Sequence, residues 1–298
     1  MRAILAGLAA TLILTGGAIA KPASHAAPAI PAAVFTDPPA DKAHPARMEV
    51  LHIPTAGGLE INGVAYLASG AGAHPTMVIA HGLPGNEKNL DLAQAVRRAG
   101  WNAVTFNYRG SWGSPGSFSF EGNLADAKAV LAYLRAPDHA KSLGVDTGKL
   151  VMAGHSMGGW VTALTSAQDA GLAGTVLMSA ADMGGRGATA AAKPGIVKTM
   201  AGDMESLAGT SPEKMADEII AFSPRLSFNA EVAKGLAGKP LLVVTSNDGL
   251  APMDEKLAAA VKADGGRVAT LHIATDHSYS DNRIALEAAV IRWLQALK

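Results

Sequence analysis

The stretch Lys149–Gly159, KLVMAGHSMGG, constrains the fold more than any other part of the chain. Leu150, Val151, Met152 and Ala153 form a short apolar run of the kind that makes a buried strand. The run breaks at Gly154, and helical spacing begins after Gly158 with Trp160, Val161 and Leu164. G-x-S-x-G at such a junction reads as a strand–turn–helix that holds Ser156 at positive φ with its hydroxyl exposed. A serine in that conformation crowds the residues two before and two after it, so both must lack a Cβ. The following helix aims its first N–H groups at the space beside the hydroxyl, a place suited to negative charge. The alternative, a glycine-rich turn with a bystander serine, fits the flanking strand and helix less well.

The rest of the chain repeats the strand–helix alternation. Met48–Ile53 and Leu59–Leu67 read as two strands around a turn at Ala56-Gly57-Gly58, an antiparallel hairpin. Thr76–Ala80 is an apolar strand ending in the loop His81-Gly82-Leu83-Pro84-Gly85-Asn86. Leu90–Arg98 has helical spacing, Trp101–Phe106 is a strand, and Leu124–Arg135 is a helix. After the Ser156 helix, Thr175–Ser179 is another buried strand. Alternation then stops between about 182 and 238, where helix-like fragments and several methionines replace strands. It resumes with the strand Pro240–Thr245, the helix Met253–Ala263, the strand Val268–Ile273 and the helix Arg283–Leu297. Such alternation predicts an α/β fold, a mostly parallel sheet with helices on both faces. The interruption is most simply a helical cap inserted into it, or else a surface elaboration.

The N-terminus reads as a targeting segment. Met1-Arg2 precedes an apolar run from Ala3 to Leu14, and Ala18-Ile19-Ala20 has the form of a cleavage site. The expectation is a signal peptide over 1–20, removed on export to the periplasm or medium, with no stable membrane association afterwards. A retained anchor is the competing reading, but the run is short for a spanning helix. Residues 21–45, rich in Ala and Pro, read as an unstructured linker. The folded domain is then 46–298. Lys plus Arg and Asp plus Glu both number 25, so no basic excess points to nucleic acid. With no cysteine in the chain, disulfides, a thiol nucleophile and thiolate metal sites are excluded.

In open α/β sheets ligands sit at the carboxyl ends of the strands. In chain order these ends carry His81-Gly82-Leu83, then Ser156, then Ser246-Asn247-Asp248, then Thr275-Asp276-His277. A nucleophile, an acid and a base thus follow in the order Ser, Asp, His. Among nine histidines, His277 alone lies beyond the last strand with a helix behind it.

Four stretches, HGLPGN, NYRGSWGSPGS, GHSMGG, and SNDGLAP with DHSYSD, resemble those of α/β-hydrolases. The chain looks like a member of the group that includes serine esterases and the catalytic domains of prolyl-oligopeptidase-type peptidases, and resembles its small free-standing members. The resemblance spans roughly 48–298 and implies the α/β-hydrolase fold with a helical cap. It implies Ser156 as nucleophile, His277 as general base and then acid, and Asp248 as the carboxylate that orients His277. Asp182 and Asp276 are rival carboxylates. The backbone N–H groups of Leu83 and Met157 would form the oxyanion hole. Arg109 is either a structural anchor or a clamp for a substrate carboxylate. The activity expected is cleavage of carboxylic esters of small substrates through an acyl-enzyme. The alternatives are a peptidase for short peptides or acylated amino acids, and a catalytically silent binding protein on the same fold. No metal or other cofactor is expected, because HExxH, P-loop and dinucleotide fingerprints are absent from the sequence.

Overall fold

A computed structural model describes residues 29–185 and 189–297. The leader reading lies outside the described residues. Strands β1 (Arg47–Thr55) and β2 (Leu59–Leu67) form the expected hairpin, paired antiparallel in register from Arg47 opposite Leu67 to Thr55 opposite Leu59. Then follow β3 (His74–Ala80), helix α1 (Leu90–Arg98), β4 (Asn102–Phe106), α2 (Phe120–Arg135) and α3 (Pro137–Leu143). Next come β5 (Val145–His155), α4 (Met157–Gln168) and β6 (Leu172–Met178), and after them α5 (Lys193–Met200), α6 (Pro212–Phe222) and α7 (Ala230–Ala237). The chain closes with β7 (Leu241–Thr245), α8 (Ala251–Ala263), β8 (Val268–His272) and α9 (Arg283–Ala296).

The eight strands of the described residues make one sheet in the order β1-β2-β4-β3-β5-β6-β7-β8. β2 runs antiparallel to both its neighbours, and every other pairing is parallel. The two-residue period of a strand splits its side chains between the faces. Met77 and Ile79 of β3 join Val151, Ala153, Val176 and Met178 in a layer covered by α1 and α9. Val78 and Ala80 join Leu150, Met152 and Leu177 in the opposite layer, covered by α2, α4, α7 and α8. Both faces are dry, which is why the central strands read as continuous apolar runs.

Several boundaries differ from the sequence reading, and contacts in the structure account for three of the differences. α2 starts four residues before Leu124, because Ser119 caps it by accepting a hydrogen bond from Gly122 N–H at 3.0 Å. α7 belongs to the sandwich and not to the cap: it packs on α4 and α8, burying Val232, Ala233 and Leu236. The second half of the Ala/Pro-rich segment is docked, against the expectation of an unstructured linker. Ala32–Val34 form a 3-10 turn, and the Arg98 guanidinium donates to Ala33 O at 2.6 Å and Val34 O at 2.7 Å. Low periodicity hid this contact, which depends on α1 and not on local sequence.

The loop after β4 is fixed by one ion pair. Asp126 on α2 is fully buried and accepts from Arg109 Nη2 at 2.6 Å, from Arg109 N at 2.8 Å and from Thr55 Oγ1 at 2.7 Å. Arg109 is therefore an anchor, its fork spent within the protein. Removing one partner strands the other's charge in a dry setting, at a cost of about 3–5 kcal/mol. Asp126→Ala is accordingly expected to lower the urea midpoint by an amount equivalent to at least about 3 kcal/mol. A change below about 1 kcal/mol would refute the anchor role.

Candidate active site

Ser156 sits between β5 and α4 with φ 57° and ψ −124°. Such a conformation costs about 1–3 kcal/mol and survives only when its surroundings over-determine it. Here they do. Ser156 N–H donates to Met178 O at 3.0 Å, and Ser156 O accepts from Gly159 N and Ala181 N, both at 2.9 Å. A Cβ on Gly154 would strike Gly158 O, and one on Gly158 would strike Ala80 O at the end of β3. The glycines of the motif are demanded by this close approach of strand, turn and helix.

The loop after β3 lies directly against the serine, since a Cβ on Gly82 would come within 2.9 Å of Ser156 Cβ. His81 holds that loop from inside, its Nδ1–H donating to Gly82 O at 2.7 Å. Burial pushes the His81 imidazole down to about 4, so it is neutral at physiological pH. Trp112 Nε1–H and Ser206 Oγ–H both donate to Pro84 O, at 2.7 and 3.1 Å. Among the described residues, the N–H groups of Leu83 and Met157 have no hydrogen-bond partner. Both belong to stretches packed against Ser156.

His277 Nδ1 is hydrogen-bonded to Asp248 Oδ2 at 2.7 Å. The Asp248 side chain is only 5% exposed against 39% for His277. Burial raises the Asp248 pKa, but hydrogen bonds from His277, Leu250 N–H and Ser179 outweigh it and leave the carboxyl below its usual range. An ionised Asp248 makes Nδ1 the protonated nitrogen of His277 and leaves Nε2 as an acceptor. The residue before the serine positions this imidazole: His155 Nε2–H donates to His277 O at 2.8 Å, and the two rings lie 4.6 Å apart. Burial, then the neighbouring His277, pushes His155 to about 4, so it serves as a neutral donor. Ser156 Oγ makes no hydrogen bond to His277 among the described residues, and such bonds often close only when substrate binds.

The two rival carboxylates are spent elsewhere. Asp182 accepts from Gly185 N–H at 2.9 Å and Phe228 N–H at 3.0 Å, tying the cap's base to the strand end. Asp276 accepts from Ser280 N–H at 2.8 Å on the surface.

Sequence reasoning missed the layer behind Asp248. Tyr279, at φ 57°, donates to Val244 O at 2.9 Å and meets Ser179 Oγ at 2.9 Å, which in turn meets Ser246 Oγ at 3.0 Å. Asp254 is fully buried on α8, with Oδ2 accepting from Ala180 N–H at 2.8 Å and Oδ1 unpartnered. Its position was visible in principle, because Asp254 shares a helical face with Leu257, Ala258 and Val261. A cavity of about 350 Å³ opens beside Ser156. Leu83, Met157 and Ala181 line its floor, and Ile196, Met200 and Ile219 of the cap line its roof.

Burial, with the charges of Asp248, Asp182 and Glu255, pushes the Asp254 carboxyl up to about 8. The unfolded value is about 4. Between these values the folded chain keeps a proton that the unfolded chain has lost. The stability it contributes is present below about pH 4 and is lost as pH rises through about 8. Asp254→Asn keeps an acceptor for Ala180 N–H and removes the titration. The variant should melt about 5 °C above the parent near pH 9 and converge with it near pH 4. His81 and His155 weaken both proteins alike in acid, so they cancel in the difference. Parallel thermal melts would refute the buried proton if the gap is independent of pH.

Solved structures with similar folds include esterases and a peptidase. An esterase from Pyrobaculum calidifontis superposes with a TM-score of 0.61 at 21% identity, covering 86% of this chain and 87% of that one. A thermostable carboxylesterase, EstE1, from a metagenomic library gives 0.62 at 25% identity over 88% and 92%. An acylaminoacyl peptidase of Pyrococcus horikoshii gives 0.61 at 16% identity, covering 84% of this chain but 41% of that one. An uncharacterized protein of Mycobacterium tuberculosis is 29% identical over 122 residues, 41% of each chain, so the match spans under half of that relative. The family model described as the alpha/beta hydrolase family matches residues 77–295, and with that span the chain belongs to the alpha/beta hydrolase family.

Proposed function

We propose that this protein is a hydrolase, specifically a serine esterase that cleaves carboxylic esters of small substrates through an acyl-enzyme. The observation that carries the reading is the 2.7 Å bond between Asp248 and His277, with His277 pinned by His155, the neighbour of Ser156. Ser156 Oγ attacks the ester carbonyl while His277 Nε2 takes its proton. The oxyanion that forms accepts hydrogen bonds from the free N–H groups of Leu83 and Met157. Collapse of the tetrahedral species expels the alkoxide, which leaves as the alcohol after taking the proton from His277. Water then enters by the same route, and the acid leaves. Asp248 stays ionised throughout and stabilises the imidazolium.

With a p-nitrophenyl ester, Ser156→Ala is expected to leave only the residue of catalysis that binding and the oxyanion hole supply, about 10³–10⁴ over water. Asp248→Asn should lower kcat by about 10⁴, as loss of the orienting acid does in other serine hydrolases. Asp182→Asn should cost less than about tenfold, because its carboxylate holds backbone at the cap's base. Crippling by Asp182→Asn but not by Asp248→Asn would move the acid to the strand β6 end. Turnover of aminoacyl anilides in preference to esters would replace the esterase by a peptidase.

We further propose that the chain is exported and cut after Ala20, on the strength of the apolar run and the Ala18-Ile19-Ala20 site. N-terminal sequencing of exported material should then start at Lys21. A membrane fraction that retains Met1 would favour the anchor.

A further inference from the structure

The cavity beside Ser156 has a chemical oddity in its wall. Among the described residues its lining is apolar apart from three, Ser156, Thr199 and Asp203. Thr199 is committed to its own helix, its Oγ1–H donating to Gly195 O at 3.1 Å. Asp203, just beyond α5, is half-buried, and among the described residues no cation or donor meets its carboxylate. Lys193, at the start of α5, is already paired with Asp217. Burial, with a second acid two residues on at Glu205, raises the Asp203 pKa.

An apolar chamber with one uncompensated carboxylate is costly unless the guest supplies the missing charge. A neutral guest would bury Asp203 further and gain nothing from it. A guest with a cationic amine would restore the balance, and Met157, Met200 and Ile196 would cover its methyl or methylene groups. We infer that Asp203 is a specificity-determining residue, selecting esters that carry an amine cation on the group entering this cavity. The inference rests on the esterase reading for the bond cleaved, but the recognition itself is a binding property. Either the acyl or the alcohol portion of the ester can bring the cation, and the experiment separates them.

In the acyl arm, the p-nitrophenyl ester of γ-trimethylammoniobutyrate is compared with that of its neutral tert-butyl isostere. In the alcohol arm, choline butyrate is compared with the butyrate of choline's tert-butyl isostere. The quantity read is the ratio of kcat/KM within each pair, so the intrinsic reactivity of each ester cancels between variants. In one arm, Asp203→Asn should lower the cation-to-neutral ratio by at least about tenfold, and Asp203→Lys should lower it further. The arm that responds names the side of the ester. Ratios unchanged by Asp203→Asn in both arms would overturn the inference. Binding of choline and of γ-trimethylammoniobutyramide, measured by calorimetry in the Ser156→Ala background, decides the matter without catalysis. There, Asp203→Asn should weaken one of the two ligands by a similar factor, and equal binding of both would again overturn it. If Ser156→Ala retains ester turnover, the esterase mechanism fails, while the calorimetric result still decides Asp203.

Discussion

The rest of the structure depends on a single close approach, that of the N-terminus of α4 to the end of β3. Gly158 lies so near Ala80 O that no side chain fits between them, and Gly154 is pressed against Gly158 in the same way. This packing drives Ser156 to positive φ. It also draws the loop after β3 over the serine, so that the free N–H groups of Leu83 and Met157 belong to segments on either side of it. Strain at the serine and the electropositive cradle beside it are therefore one feature. Loss of the close packing would relax the turn and disperse the cradle together.

Electrostatics then assigns different states to chemically identical groups. Two of the histidines in the site, His81 and His155, are buried deeply enough that desolvation takes them to about 4, and each is spent as a neutral hydrogen-bond donor. His277 keeps a solvent-facing edge and a carboxylate partner. The two carboxyls behind it diverge by the same logic. Asp248 collects donors from His277, Leu250 and Ser179, which outweigh its burial. Asp254, six residues on, has only Ala180 N–H and is driven up to about 8. Greater depth and fewer donors together separate the acid pushed up from the one held down.

How much of this was legible in the sequence follows from the range of the interactions involved. The elbow, the strands around it and the order Ser156, Asp248, His277 rest on local pattern and on the rule that sites gather at strand ends, so they could be read directly. The structure joins Asp248 to His277 and places His155 of the elbow against His277. The docking of Ala32–Val34 on α1 depends on an arginine more than sixty residues away, which no window detects. α7 was absorbed into the cap because its short amphipathic run follows irregular chain without a strand between. Asp254 carries no local mark that sets it apart from other helical acids, although its spacing puts it on the buried face of α8.

The cap was the least legible part, and physics gives the reason. A buried strand must be apolar and a strained turn must have glycine, so those segments have narrow sequence requirements. The cap meets looser ones. It is held by backbone pairing with the loop after β4, where Phe118 N–H donates to Ala208 O at 2.9 Å and Ala208 N–H donates to Gly110 O at 2.8 Å. It is held also by Ser206 on Pro84. Bonds to backbone place little demand on side-chain identity. α6 is also tied to the frame, with Phe222 buried against Phe120 and Trp160, while Ile196 and Met200 of α5 and Ile219 of α6 line the chamber beside Ser156. The frame is thus held by close packing, and the roof by main-chain bonds together with the packing of Phe222.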